Sequence, residues 1–488
     1  MHDVTAGIDD IRREIIDRHQ IIDWSDRFPW WPQPAHVKVL FYADGSIQYD
    51  GGPFLGLKQV LATLTARVYP WVHFDVTTAH RRSDPSADHD NVDLAAALAI
   101  DSFDELWIYS IESGPQLSAG ELAAAQAFMD TTDGGVLITG DHADLGQAFG
   151  NLRRAGTMRQ LPAPPAAPPT WNSTLRTGAD SLFQFEDQSD STPQPLRYRR
   201  YWAGVFAQAP HPVLCSSLGP IDIFPDHQHE GEAVAPAPTD PNEWPGGVGA
   251  EVIAWGNIVD PSSNTVGREV GVLSAYDGHA AGVGRVLADS TWHHHFDINL
   301  RGLPGDPARP GFVTPGTASW ITTAKKIEHF FVNAGVWLAP PAKQAAMRAA
   351  AWWPILWSDA IVEAHPLRDR SWLFGRYAYD ALGRYAPQCA VFRWLWDLVP
   401  TLVQQDFVKL IDPGDPPPFA EYLAGVATRQ LIERFDVRPD RLPDKAPELE
   451  EVDAAFEGVA ERALGELVGD MERRLDAVRR LGSGAKAR

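Results

Sequence analysis

The chain of 488 residues reads as an α/β protein: a doubly wound, mostly parallel sheet followed by a C-terminal α-helical region. Three observations predict this. Apolar runs of strand length alternate with helix-like stretches of about 10–15 residues, the pattern of βαβ units. Hydrophobic residues make up 44% of the chain and 18 are Trp, enough for a large packed core. Beyond about residue 317 the strand pattern stops and helical spacing takes over.

Taken in order, residues 1–35 read as an N-terminal extension, with helical spacing from Ile8 to Ile22 and an aromatic loop at Phe28-Pro29-Trp30-Trp31-Pro32. Val37–Tyr42 is a buried strand ending at Ala43-Asp44-Gly45. A helix from Phe54 to Val68 leads to a second strand near Val72–Thr77, and Leu106–Ser110 is a third. Ser118, with Glu121 three residues on, predicts a capped helix start. Gly135–Thr139 is a fourth strand, stopping at Gly140-Asp141-His142. Residues 161–169 are Pro-rich, part of an excursion over 151–250. The strand pattern resumes beyond them at Pro212–Cys215, Glu251–Trp255, Val270–Ser274 and Arg285–Asp289, so 36–340 reads as one α/β domain. Thr317–Trp337 packs back as a helix. Residues 341–488 form a helical region, broken at Asp412–Pro418, with an amphipathic helix from about Glu448 to Leu481 and a disordered tail from Gly482.

Forty-two basic residues against 64 acidic ones give a net charge of −22, so no nucleic-acid partner is expected on electrostatic grounds. No apolar run approaches the roughly 18 residues that span a bilayer, so no membrane partner is expected. The N-terminus does not read as a signal peptide. With Cys215 and Cys389 alone there is no disulfide framework, and a cytoplasmic, reducing compartment is expected.

Of 16 histidines, eight lie between His142 and His295, most in three polar bursts. Gly140-Asp141-His142-Ala143-Asp144 occupies a strand-to-helix elbow, where the alternative is a polar turn with Asp141 as helix cap. Asp226-His227-Gln228-His229-Glu230 packs four potential ligands or acid/base groups into five residues, and its i, i+2 histidines share one face of an extended segment. The alternative there is a solvated loop. Trp292-His293-His294-His295 follows the Arg285–Asp289 strand, and adjacent residues cannot all face one site, so two of the three histidines at most are expected to act. Asp277 and His279 are candidates to flank the same cleft. Asp44, Glu112, His142 and His293 each fall just past a predicted parallel strand, and such ends share one edge of a sheet. Imidazole and carboxylate ligands favour zinc, iron, manganese or nickel over calcium or magnesium. Arg197, Arg199 and Arg200, interleaved with aromatics, suit a carboxylate or phosphate, or pairing within this acidic chain.

Three segments carry a resemblance to a known family. Gly134–His142 resembles a glycine-led strand ending in an elbow histidine, His211-Pro212-Val213-Leu214 running to Asp226-His227 is similar to a His-Pro-Ile segment before an acidic loop, and Gly282–His293 looks like a Gly-x-Gly-Arg-Val strand followed by a histidine. Together, over residues 36–335, they resemble the ThuA-like (trehalose-utilisation) family within the class I glutamine amidotransferase-like fold. The resemblance implies a flavodoxin-like sheet and a loose link to sugar metabolism. Neither Cys215 nor Cys389 stands at the elbow, so the Cys-dependent glutaminase chemistry of that fold is not expected.

The expectation is therefore a metal-assisted hydrolase or lyase for a small polar substrate, not a glutaminase. His142, His227, His229 and one of His293 or His294 would hold a divalent transition metal, zinc first, with iron or manganese as alternatives. Glu230 or Asp226 would act as general base, and in a metal-free variant the same groups would serve as an acid/base set with Asp141 orienting His142. Asp44, Glu112, Arg199 and Trp292 would line the substrate site. The alternative is a non-catalytic module that binds a sugar or peptide and docks a partner, or a second copy, through the helical region.

Overall fold

The computed structural model describes residues 29–485 apart from 51–54, 67–68, 111–115, 141–148, 161–193, 203–207, 217, 225–231, 258–266, 268, 303–317, 387, 400–418 and 439. Its centre is a nine-stranded sheet of β1 (Ala35–Ala43), β2 (Val72–His80), β3 (Glu105–Ser110), β4 (Gly135–Gly140), β5 (Gln194–Tyr198), β6 (Ile223–Phe224), β7 (Glu251–Asn257), β8 (Glu269–Tyr276) and β9 (Val286–Asp289), in the order β6-β5-β7-β8-β9-β4-β3-β1-β2. Strands β2, β1, β3, β4 and β9 are parallel. The other four are antiparallel to their neighbours, so the sheet is mixed rather than mostly parallel. Connection length explains this: the stretches from Asn257 to Glu269 and from Tyr276 to Val286 are too short to hold a crossover helix.

Both faces of the parallel half are covered, which is why β1 reads as a continuous apolar run. Val37, Val39, Phe41, Trp107, Tyr109, Leu137 and Leu287 face α5 (Ala318–Leu338) with its Phe330 and Phe331. Leu40, Tyr42, Leu106, Ile108, Val136 and Ile138 face α2 (Leu94–Leu98) and α3 (Ala119–Thr131). Helix α3 begins as its sequence predicts: Ser118 Oγ accepts from the Glu121 amide at 3.3 Å, and Glu121 Oε2 accepts from the Ser118 amide at 2.8 Å. The helix between β1 and β2 is shorter than its periodicity, α1 (Lys58–Thr65). Pro212–Leu214 is a 3-10 turn rather than a strand, since Pro212 lacks the amide a ladder needs.

The helical region comprises α6 (Pro341–Ile355), α7 (Asp359–Ala364), α8 (Ser371–Gly383), α9 (Gln388–Asp397), α10 (Phe419–Arg434), α11 (Leu449–Asp453) and α12 (Val459–Ala485). It shares one continuous apolar core with the α5 face of the sheet, from Val37 through Trp352 and Trp394 to Leu467. A Cβ on Gly375 would run into the Glu421 carbonyl and one on Gly425 into the Ser371 carbonyl, so α8 and α10 pack in near-backbone contact. The single helix expected from Glu448 is broken at Gly458, whose φ of 70° is left-handed. Its second part, α12, runs on to Ala485, past the expected tail start at Gly482. No helix of the described residues is long and apolar enough to cross a membrane. Cys215 is disulfide-bonded, which runs against the expectation of reduced cysteines and, since disulfides mark oxidising compartments, against the ground on which a cytoplasmic location was expected.

Glu105 opens β3 at full burial, and its Oε2 accepts from Trp107 Nε1 at 2.8 Å while Oε1 has no hydrogen-bond partner among the described residues. Burial pushes its carboxyl well above the usual range, so the folded chain holds a proton that the unfolded chain releases at lower pH. A raised folded value means stability falls as pH rises above about 4.3, the ordinary Glu value, with a slope approaching about 1.4 kcal/mol per pH unit. Glu105→Gln is expected to remove that slope. Urea titrations of both proteins at several pH values measure it, and parallel pH dependences would overturn the assignment.

Candidate metal centre

Strand β9 carries Leu287 and Asp289 on the α5 face, and Asp289 is its last residue, in register with Thr139 of β4. Because β1, β3, β4 and β9 are parallel, Asp44, Ser110, Gly140 and Asp289 all lie at the same edge of the sheet. After Asp289 the chain turns through Ser290 and Thr291 into a 3-10 helix, His293–His295, leading to α4 (Asp297–Arg301). A carboxylate at the end of an apolar strand must find polar partners, and this one finds four. Its Oδ1 accepts from the Thr291 amide and the Thr291 hydroxyl, both at 3.0 Å. Its Oδ2 lies 2.8 Å from His294 Nε2 and 3.1 Å from His295 Nε2.

Asp289, His294 and His295 have no solvent exposure, and one ligand atom from each lies within 4.8 Å of the others. The far nitrogens of both rings meet hydroxyls: His294 Nδ1 is 3.4 Å from Thr291 Oγ1, and His295 Nδ1 is 3.4 Å from Tyr109 OH. Thr291 is in turn held through its carbonyl, which accepts from Thr139 Oγ1 at 2.5 Å. Aromatic rings wall the site. Phe224 stacks on His294 at 4.1 Å, Phe330 meets it edge-on at 5.3 Å, and Tyr109 meets His295 edge-on at 5.4 Å. Burial pushes His295 down to about 4, helped by its neighbour His294. Burial alone would raise the Asp289 carboxyl, but the charge and hydrogen bonds of His294 and His295 override it and hold it well below the carboxylate range. Asp289 and His295 thus stand at neutral pH in the protonation states that a metal ion requires of its ligands.

The separations also fit an ion. Ligands about 2.0–2.2 Å from a metal lie about 2.8–3.1 Å from one another around an octahedral centre and about 3.3–3.6 Å around a tetrahedral one, so the 2.8 and 3.1 Å between Asp289 Oδ2 and the two Nε2 atoms match the octahedral spacing.

Of the residues singled out in the sequence, His294 belongs to this group. His293 is equally buried, but its ring is stacked under Trp292 at 4.0 Å and it is not one of the three. Trp292 is 1% exposed and packs on Phe296 at 5.1 Å. Asp44 is buried and held by Arg82 at 2.8 Å and Arg81 at 3.4 Å. Arg199 sits on the antiparallel half, donating to the Val252 carbonyl at 3.0 Å and lying 3.5 Å from Glu251. Neighbouring Arg197 pairs with Glu269 through two bonds of 2.6 Å. Asp277 and His279 do not flank this site. Strand β8 runs antiparallel to β9, so its end lies beside Arg285, at the opposite end of β9 from Asp289. Glu112, Asp141, His142, Asp226, His227, His229 and Glu230 lie outside the described residues.

Sequence reasoning missed Asp289 and His295. The signal was available: an aspartate closing the apolar run Val286-Leu287-Ala288 is costly to bury unpaired, and the next donors along the chain include His294 and His295. No protein-family description, curated protein or solved structure matches this chain.

Proposed function

We propose that the protein is a metal-dependent hydrolase for a small polar substrate, with Asp289, His294 and His295 holding a divalent transition ion, zinc ahead of iron or manganese. The convergence of one carboxylate and two imidazoles on a common point carries this reading. Two nitrogens and one oxygen suit those metals and leave coordination positions open, as catalytic rather than structural sites do. A bound divalent ion supplies Lewis acidity for attack by water. The order β2-β1-β3-β4-β9 also supports it, being the flavodoxin-like order, in which ligands bind beyond the carboxyl ends of the strands. The ThuA-like resemblance agrees with that placement. On sequence grounds His142, His227 and His229 are proposed as further ligands, Asp226 or Glu230 as the base and Asp141 as the group orienting His142. Phe224, stacked on His294, stands two residues before Asp226 in the chain.

Elemental analysis of the purified, zinc-reconstituted protein tests this. About one ion per chain is expected for a single site, lost in His294→Ala and reduced in His142→Ala and His227→Ala. A wild-type protein free of metal after reconstitution overturns the reading. A second reading, a non-catalytic module docking a partner or a second copy through its helices, has one observation in its favour. Val468, Met471, Leu475 and Val478 form a row along α12 at alternating spacings of three and four, 46% to 66% exposed. A metal-free protein that self-associates through this row would favour it.

A further inference from the structure

We propose that Thr291 and Tyr109 are positioning residues of this centre, their hydroxyls fixing which nitrogen of each histidine faces the ion. The inference rests on the reading of Asp289, His294 and His295 as metal ligands and goes beyond it. The two imidazoles are held alike: each places Nε2 on Asp289 Oδ2, at 2.8 and 3.1 Å, and Nδ1 3.4 Å from a hydroxyl, Thr291 Oγ1 for His294 and Tyr109 OH for His295. A hydroxyl has one proton to give and lone pairs with which to accept. Thr291 donates its proton to Asp289 Oδ1 at 3.0 Å, so toward His294 its oxygen acts as acceptor and the imidazole carries its proton on Nδ1. His294 Nε2 then turns a lone pair toward the carboxylate oxygen 2.8 Å away. Two lone pairs facing one another at that distance call for a positive charge between them, which a proton on Nε2 supplies in the metal-free imidazolium and a divalent cation supplies in its place.

The rest of the turn serves the same end. The Thr291 amide takes a second place on Asp289 Oδ1 at 3.0 Å, leaving Oδ2 as the oxygen on the side of the imidazoles. The Thr139 hydroxyl pins the Thr291 carbonyl to β4, so the hydroxyl sits on a fixed backbone. On the other flank Tyr109 comes from β3 at full burial, and its ring meets His295 edge-on at 76°, so its hydroxyl is held by the sheet. Tyr109 thus comes from a strand, and Thr291 from the turn that bears the histidines, where Thr139 pins its carbonyl to β4. Partners of this kind, on the nitrogen away from the metal, set the tautomer and orientation of ligating histidines, and their loss weakens metal binding about 10–100-fold.

The test uses the full chain and zinc alone, with affinity read by competition against a chelator and melting temperature read with and without zinc. Thr291→Val keeps the shape and removes the hydroxyl, Thr291→Ser keeps the hydroxyl, and Tyr109→Phe removes the other one. Expected are zinc affinities about 10–100-fold weaker in Thr291→Val and Tyr109→Phe, near-wild-type affinity in Thr291→Ser, and a smaller zinc-induced rise in melting temperature in the two weakened variants. A purely structural role would lower the melting temperature with and without zinc alike, and that outcome overturns the proposal. So does wild-type zinc affinity in both hydroxyl-less variants, an outcome that leaves the metal centre standing. If Thr291→Val fails to fold, Tyr109→Phe and Thr291→Ser decide. Absence of zinc binding by the wild type overturns the metal centre and this inference together.

Discussion

Asp289→Ala is expected to abolish zinc retention and to destabilise the fold by about 3–5 kcal/mol, the cost of removing one partner from a buried charged network. The carboxylate is the only anionic member of the group, and removing it leaves two imidazoles with no charge to neutralise an ion. It also strands four polar partners: the Thr291 amide and hydroxyl at 3.0 Å, and the two Nε2 positions at 2.8 and 3.1 Å. None can turn to water, since Asp289, His294 and His295 have no exposure. Asp289→Asn separates the two effects. The amide oxygen still accepts from Thr291, so most of the stability should return, while zinc affinity stays down by on the order of 100-fold or more, beyond the 10–100-fold that loss of an outer partner costs. Urea titration and chelator competition on the three proteins read both quantities. An Asp289→Ala protein that keeps its zinc would rule out this carboxylate as a ligand.

How far the sequence reached depends on which interactions are local. Strands β1 to β4 and β9 were legible because both faces are covered and their apolar runs are unbroken, and the α3 start was legible because a capping box is closed within four residues. Strand direction was not, because hydrophobicity carries no sign; only the short connections either side of β8 betray that half the sheet reverses. That reversal took Asp277 and His279 away from the edge where their position after a strand had placed them. The third histidine burst was legible as a site, yet the choice within it was not. Neighbouring side chains diverge along a strand, whereas in the 3-10 turn the rings of His294 and His295 lie 4.3 Å apart, and both reach one carboxylate. Asp289 itself escaped notice as the last residue of a convincing strand, where patterning treats it as a boundary rather than as a ligand.

The remaining large effect lies at the other end of β9. There Asp277 Oδ1 accepts from Arg285 Nε at 2.8 Å and Oδ2 from Arg393 Nη2 at 2.9 Å, so one carboxylate ties the sheet to α9. Arg285 is 2% exposed, donates to the Trp337 carbonyl at 2.7 Å and lies over the Trp337 ring at 5.0 Å, which adds α5 to the junction. Asp277→Ala leaves two arginines facing one another without their shared anion. The expected loss is about 2–4 kcal/mol, somewhat under the 3–5 of a fully buried pair, because Asp277 keeps 32% exposure. Burial alone would raise its carboxyl, but Arg285 and then Arg393 override it and hold it far below the ordinary range. A depressed folded value means the stabilisation is present above the unfolded value of about 3.9 and is lost as pH falls below it. The neighbouring His279 and His211, pushed by burial to about 2 and about 3, stay neutral above that window and do not reverse the sign. Asp277→Asn, which keeps an acceptor but no charge, should therefore be less stable than wild type at pH 7, and the gap should narrow by up to about 1.4 kcal/mol per pH unit as pH falls below about 3.9 without closing by pH 3. Urea midpoints across that range measure the convergence, and a constant gap between the two proteins would show that charge is not what holds the helical region to the sheet.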